Sequence, residues 1–118
     1  ENPSQNREIS LKSAKSQNKS FILCHWKTGE DVVCQANYEK KVVEYFNKNQ
    51  VDFDWQIPFQ MPNGKVYFCD FFIKQKNRYI EVKGRKFEKN MKKWFWFHDE
   101  YPNSELWDEK KLKEMEIL

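Results

Sequence analysis

Between Val51 and Phe59 the chain alternates at nearly every step: Val51, Phe53, Trp55, Ile57 and Phe59 are apolar, and Asp52, Asp54 and Gln56 separate them, with Pro58 near the end. A period of two is that of a strand with one buried face. Pro62-Asn63-Gly64 signals a hairpin turn, which leads into a second strand over 65–73 and, after the polar stretch 74–77, a third over 78–83. Upstream, Tyr38, Val42, Tyr45 and Phe46 recur at helical spacing behind Asn37, a candidate N-cap, with Glu39 in the first turn. Earlier still, residues 21–26 and 31–34 flank a turn at 27–30 and predict a small hairpin. Downstream, Phe87, Met91, Trp94, Phe95 and His98 fit one stripe of an amphipathic helix over 86–98, with lysines on its other faces. Tyr101-Pro102-Asn103 ends that helix. Residues 105–107 suggest a short strand, and Asp108 can cap a last helix reaching about Glu116. The expected order, αβββαβα after the small hairpin, is that of an α/β domain.

Composition sets the scale. The 118 residues suit one domain, with residues 1–20, rich in Ser, Asn, Gln and Lys, as a flexible leader and 21–118 as the folded part. Leu, Ile, Val and Phe make up about a quarter of the chain, enough for a packed core and too much for general disorder. With 5 Trp, 5 Tyr and 10 Phe, that core is built from few but large rings, and Phe53, Trp55, Phe59, Phe68, Phe72, Trp94 and Phe95 are its expected members. No apolar run approaches the roughly 20 residues of a membrane-spanning helix. The three cysteines form no CxxC pair, which argues against a disulfide framework or a zinc ribbon and for a reducing, cytoplasmic setting. Lys outnumbers Arg 18 to 3, a bias of AT-rich coding common in phages and some bacteria.

Charge changes the picture only by position. The net charge of +3 divides into a basic stretch, 83–93, where Glu88 alone opposes Lys83, Arg85, Lys86, Lys89, Lys92 and Lys93, and an acidic tail from Asp99 onward. A local basic patch is a plausible footprint for a polyanion, as well as a common solvated face.

The hairpins turn this outline into chemistry. A two-residue loop at Gln75-Lys76 sets Asp70 opposite Glu81, and a three-residue loop at Pro62 to Gly64 sets Gln56 opposite Asp70. Lys83 shares a strand face with Glu81. Two carboxylates side by side repel unless a cation lies between them, and Mg²⁺, which takes one or two carboxylates together with waters and phosphate oxygens, suits such a pair. An adjacent ammonium could orient the attacking water or neutralise charge on a phosphoryl group. Phosphodiester hydrolysis is the expected reaction.

Asp70, followed after ten residues by Glu81-Val82-Lys83, resembles the signature of the PD-(D/E)xK, or restriction-endonuclease-like, nucleases, and Glu39 resembles their frequent acidic residue on the preceding helix. The segments 55–59, 67–71 and 79–84 are similar to the core of short phage and bacterial members: homing-endonuclease-like, Vsr-like and transposase-end nucleases and junction resolvases. The resemblance spans about Tyr38 to Leu118. Cys69 stands where the name-giving proline usually does. The resemblance implies a restriction-endonuclease-like α/β fold with a central mixed sheet flanked by helices, and a DNA endonuclease in which Asp70, Glu81 and the Val82 carbonyl hold Mg²⁺, Glu39 supports a second metal ion or its water shell, and Mn²⁺ can substitute. Lys83 would orient the attacking water, Gln56 would assist at the water or phosphate, and Arg85, Lys86 and Lys89 would hold the DNA backbone. The expected partners are DNA and either a second copy or an upstream DNA-binding domain, with no membrane, in a bacterial or phage-infected cytoplasm. A catalytically inactive nucleic-acid-binding module and a ribonuclease are the alternatives. The tripeptide ExK alone discriminates little, since it also occurs at 39–41 and 109–111; only the copy at 81–83 falls on a predicted strand. His25 beside Cys24 and His98 beside Asp99 lack further partners at ligand spacing and read as structural residues.

Overall fold

The computed structural model describes residues 21–83 and 91–118. Strands β1 (Phe21–Cys24) and β2 (Asp31–Cys34) form a separate antiparallel pair. Helix α1 (Asn37–Lys48) leads to strands β3 (Phe53–Gln60), β4 (Val66–Ile73) and β5 (Arg78–Val82). Helix α2 (Met91–Glu100), strand β6 (Ser104–Trp107) and helix α3 (Glu109–Glu114) complete the chain. The four-stranded sheet runs β3-β4-β5-β6; β3, β4 and β5 are antiparallel in sequence, whereas β6 joins β5 in parallel. A parallel neighbour needs a crossover, and α2 lies within it. The sheet is therefore mixed, in an α/β fold. No helix among the described residues is long and apolar enough to cross a membrane.

Both hairpins keep the expected register. In β3–β4, Phe53 pairs with Ile73 and Gln60 with Val66, and the three-residue loop between them ends on Gly64 at φ 84°, the left-handed position such loops require. The β4–β5 loop is longer than expected. Residues 74–77 all belong to it, with Lys76 N–H donating to Ile73 O (3.3 Å), Asn77 N–H to Lys74 O (3.4 Å) and Asn77 at φ 51°. The added residues are symmetric about the turn, so Phe71 still meets Ile80.

One alternating strand serves two cores. Phe53 and Trp55 pack with Phe71, Ile73, Ile80, Val82 and Trp107 against Val42, Val43 and Phe46 of α1 and Leu112 of α3. Ile57 and Phe59 instead join Tyr67 and Cys69 against Trp94 and Phe97 of α2. Strict alternation would put all four β3 residues on one side. The exchange happens at Gln56, whose φ of 52° turns the backbone in mid-strand, and β4 makes the matching exchange between Cys69 and Phe71. The turned residue of β3 and Asp70 of β4 stand opposite each other by register, yet the ladder omits that pair.

Three expectations need correction. Phe95 (60% exposed) and Phe68 (42%) lie outside the cores, and Phe72 is half-buried against Tyr79. The buried residues of α2 are Trp94 and Phe97, one turn apart, because that face meets the second core. Asn37 is the first helical residue rather than the cap, and extended Ala36 precedes it without a side-chain cap. Asp108 caps α3 as expected, accepting from Lys111 N at 2.9 Å. Residues 1–20 and the expected helix start over 86–90 fall outside the described residues.

The small hairpin is fixed by His25. Its Nδ1 accepts from Lys27 N (3.1 Å) and Thr28 N (3.3 Å), so Nε2 carries the proton and donates to Phe53 O at 2.9 Å. The ring stacks on Phe53 at 4.2 Å. His98 is also structural: Nδ1 bonds Ser104 Oγ at 2.7 Å, and Ser104 in turn donates to Tyr101 O.

Candidate active site

The two cores meet where β4 and β5 separate. Their ladder stops at Phe71–Ile80, one step short of Asp70 and Glu81. The Val82 N–H donates to Asp70 Oδ2 at 2.8 Å, so the aspartate side chain replaces the missing strand contact. This bond fixes the carboxylate beside the Val82 backbone. Glu81 projects from β5 and is 5% exposed. Its Oε2 lies 3.1 Å from Lys83 Nζ, and its Oε1 accepts a hydrogen bond from the Tyr67 hydroxyl. The Lys83 side chain keeps 20% exposure, which leaves the ammonium on the solvent side of the pair. Glu39 approaches from the first turn of α1.

Electrostatics tie these groups together. Burial pushes the Asp70 carboxyl well above the ordinary carboxylate range, and the charges of Glu81 and Glu39 push it further, against the pull of Val82 N–H and Lys83. Glu39 is pushed up to about 7 by burial and by Glu81, opposed by the Gln35 N–H and Lys83. Three acidic side chains thus share one field with a single lysine prominent among its opposing charges. Such a cluster holds excess negative charge that a cation would neutralise.

Among the described residues, no three His, Cys, Asp or Glu side chains form a ready-made ion cage. Mg²⁺ does not require one, because it retains several waters and binds through one or two carboxylates. The donor set of Asp70 and Glu81, with Glu39 close by, therefore fits that ion. Nearby thiols are poor ligands. Burial, with Glu39, Asp70 and Glu44, raises Cys34 to about 12, and Cys69 is likewise raised by burial and by Asp70. Cys69 is fully buried, with Sγ 3.4 Å from Phe71 O and 3.6 Å from Ile80 O.

In comparison with known proteins, no family model, no curated protein and no solved structure matches the chain.

Asp70, Glu81, Lys83 and Glu39 therefore come together as the sequence suggested, and Val82 adjoins them through its backbone. Gln56 stands opposite Asp70 in register, and its observed contribution is the turned backbone. Arg85, Lys86 and Lys89 lie outside the described residues. The other two ExK tripeptides fall on helices, α1 and α3. Tyr67 was missed by the sequence reading. In a chain with so many rings it looks like core, and only its hydroxyl signals that a buried partner is needed.

Proposed function

We propose that this chain is a Mg²⁺-dependent DNA endonuclease with a restriction-endonuclease-like fold, acting in a bacterial or phage-infected cytoplasm. The observation that carries the reading is the break between β4 and β5, where Asp70 takes the Val82 N–H while Glu81 meets Lys83. The mixed sheet and its helices are compatible with that fold, and the family resemblance of the sequence supports the choice.

Asp70 and Glu81 would hold the cation, with the Val82 carbonyl adjacent and Glu39 supporting a second ion or the water shell. A bound divalent ion supplies Lewis acidity and stabilises charge on a phosphoryl oxygen. Lys83 has the chemistry to orient the attacking water and to move a proton at Nζ, and its solvent-side position suits that role. Arg85, Lys86 and Lys89, adjoining Lys83 in sequence, would grip the DNA backbone without reading its bases.

The test is a cleavage panel of duplex, flap, mismatched, four-way-junction and single-stranded DNA, with RNA alongside, in Mg²⁺ or Mn²⁺. Metal-dependent cleavage of at least one DNA, abolished by EDTA, is expected. Lys83→Ala should slow it at least about 100-fold, the scale of a lost acid–base group. No cleavage of any DNA, or cleavage indifferent to EDTA, overturns the reading.

A further inference from the structure

Building on the cluster as a cation site, we propose that Tyr67 is a positioning residue that claims one oxygen of Glu81 and leaves only the other to a divalent ion. Two groups hold the Glu81 carboxylate, and they differ in freedom. Tyr67 is 6% exposed, and its ring stacks on Phe97 at 4.7 Å with 27° between the planes. Phe97 is itself fully buried among Phe59, Tyr79 and Tyr101. The phenol cannot swing away without disturbing the second core. Lys83 reaches Oε2 on a flexible four-carbon stem that is partly exposed. The oxygen that can be released is therefore Oε2, while Oε1 stays with the Tyr67 hydroxyl.

This has a consequence for ion choice. Ca²⁺ commonly gathers both oxygens of a carboxylate, whereas Mg²⁺ and Mn²⁺ accept single oxygens in compact octahedra. A Glu81 limited to one oxygen disfavours Ca²⁺. Partners of this kind typically change metal affinity by about 10- to 100-fold. Tyr67 would act through Glu81, not by touching substrate.

The test measures Mn²⁺ and Ca²⁺ dissociation constants by calorimetry on the full chain and on Tyr67→Phe, which keeps the ring. The expected result is an unchanged circular dichroism spectrum and a shift of at least about fivefold in the Ca²⁺/Mn²⁺ affinity ratio toward Ca²⁺. An unchanged ratio overturns the proposal even if both affinities fall together, because that is what general loosening would do. A second measurement does not depend on the variant folding. NMR of the wild-type protein should show the Tyr67 hydroxyl proton beside the Glu81 carboxyl carbon, both without metal and at saturating Mg²⁺. Loss of that contact on adding Mg²⁺ overturns the proposal. If the wild-type protein binds Mn²⁺ but cleaves nothing, the nuclease reading fails and a shifted ratio still supports the role of Tyr67. If it binds no Mn²⁺, the positioning role is overturned as well.

Discussion

Glu39 sits in the first turn of α1 and in the field of Glu81, and the two surroundings pull its proton in opposite directions. The Gln35 N–H favours the charged carboxylate, while burial and Glu81 favour the neutral acid and prevail, raising it to about 7. A carboxyl whose proton affinity rises on folding stabilises the protein fully below its unfolded value, near 4.5, and that contribution fades as pH rises through about 7. Asp70, also raised, acts in the same direction. Asp52 is lowered, chiefly by its bond to Lys27, so its contribution fades only in more acidic solution. Metal-free protein should therefore melt at a higher temperature at pH 5 than at pH 8, and Glu39→Gln should flatten the difference. Thermal melts across that range check this, and equal slopes in both proteins would contradict it. At this scale the sequence was informative wherever chemistry has a spacing. Asp70, Glu81 and Lys83 were legible because hairpin register and side-chain alternation are counting rules. Tyr67 was not, because its hydroxyl reaches Glu81 diagonally across the sheet from an otherwise ordinary apolar position.

The β3–β4 hairpin shows where those counting rules stop. Loop residues fixed its register, which the structure keeps, but alternation assigned β3 to a single core. The turn at Gln56 reverses that assignment, and nothing in the side-chain pattern marks a positive φ at a glutamine. Non-glycine residues adopt this conformation at a cost of about 1 kcal/mol or more. The usual strand preference should therefore invert here. Gln56→Gly is expected to be neutral or to stabilise by up to about 1 kcal/mol, and Gln56→Val to cost about 2 kcal/mol. Urea unfolding of the two variants decides it: valine more stable than glycine would mean that the strand is straight at this position. Helix α2 gives a parallel case. Its helical stripe takes Phe95 into the core, whereas contact with Tyr67, Phe59 and Tyr101 selects Phe97.

Across the whole molecule, the acidic cluster occupies the seam between two apolar cores, one closed by α1 and α3 and the other by α2. Tyr38 of α1 bonds Glu109 of α3 at 2.9 Å and braces the first core. At the seam, carboxylates from α1, β4 and β5 repel one another. A cation held there would remove that repulsion and stabilise both halves together. Mn²⁺ at about 100 times its dissociation constant would contribute about 2.7 kcal/mol, which for a domain of this size raises the melting temperature by roughly 10 °C. Differential scanning calorimetry with and without EDTA checks the effect, and a melting temperature indifferent to Mn²⁺ would argue against a site at the seam. The αβββαβα order was legible because each element carries its own period. The division into two cores was not, because it depends on a matching exchange within β4 and on the backbone angle of Gln56 in β3. That angle also shapes the outer margin of the sheet, since β3 is an edge strand divided by Gln56 into runs of three and four residues. Runs this short template a foreign strand poorly, so the bend at Gln56 also works against edge-to-edge aggregation.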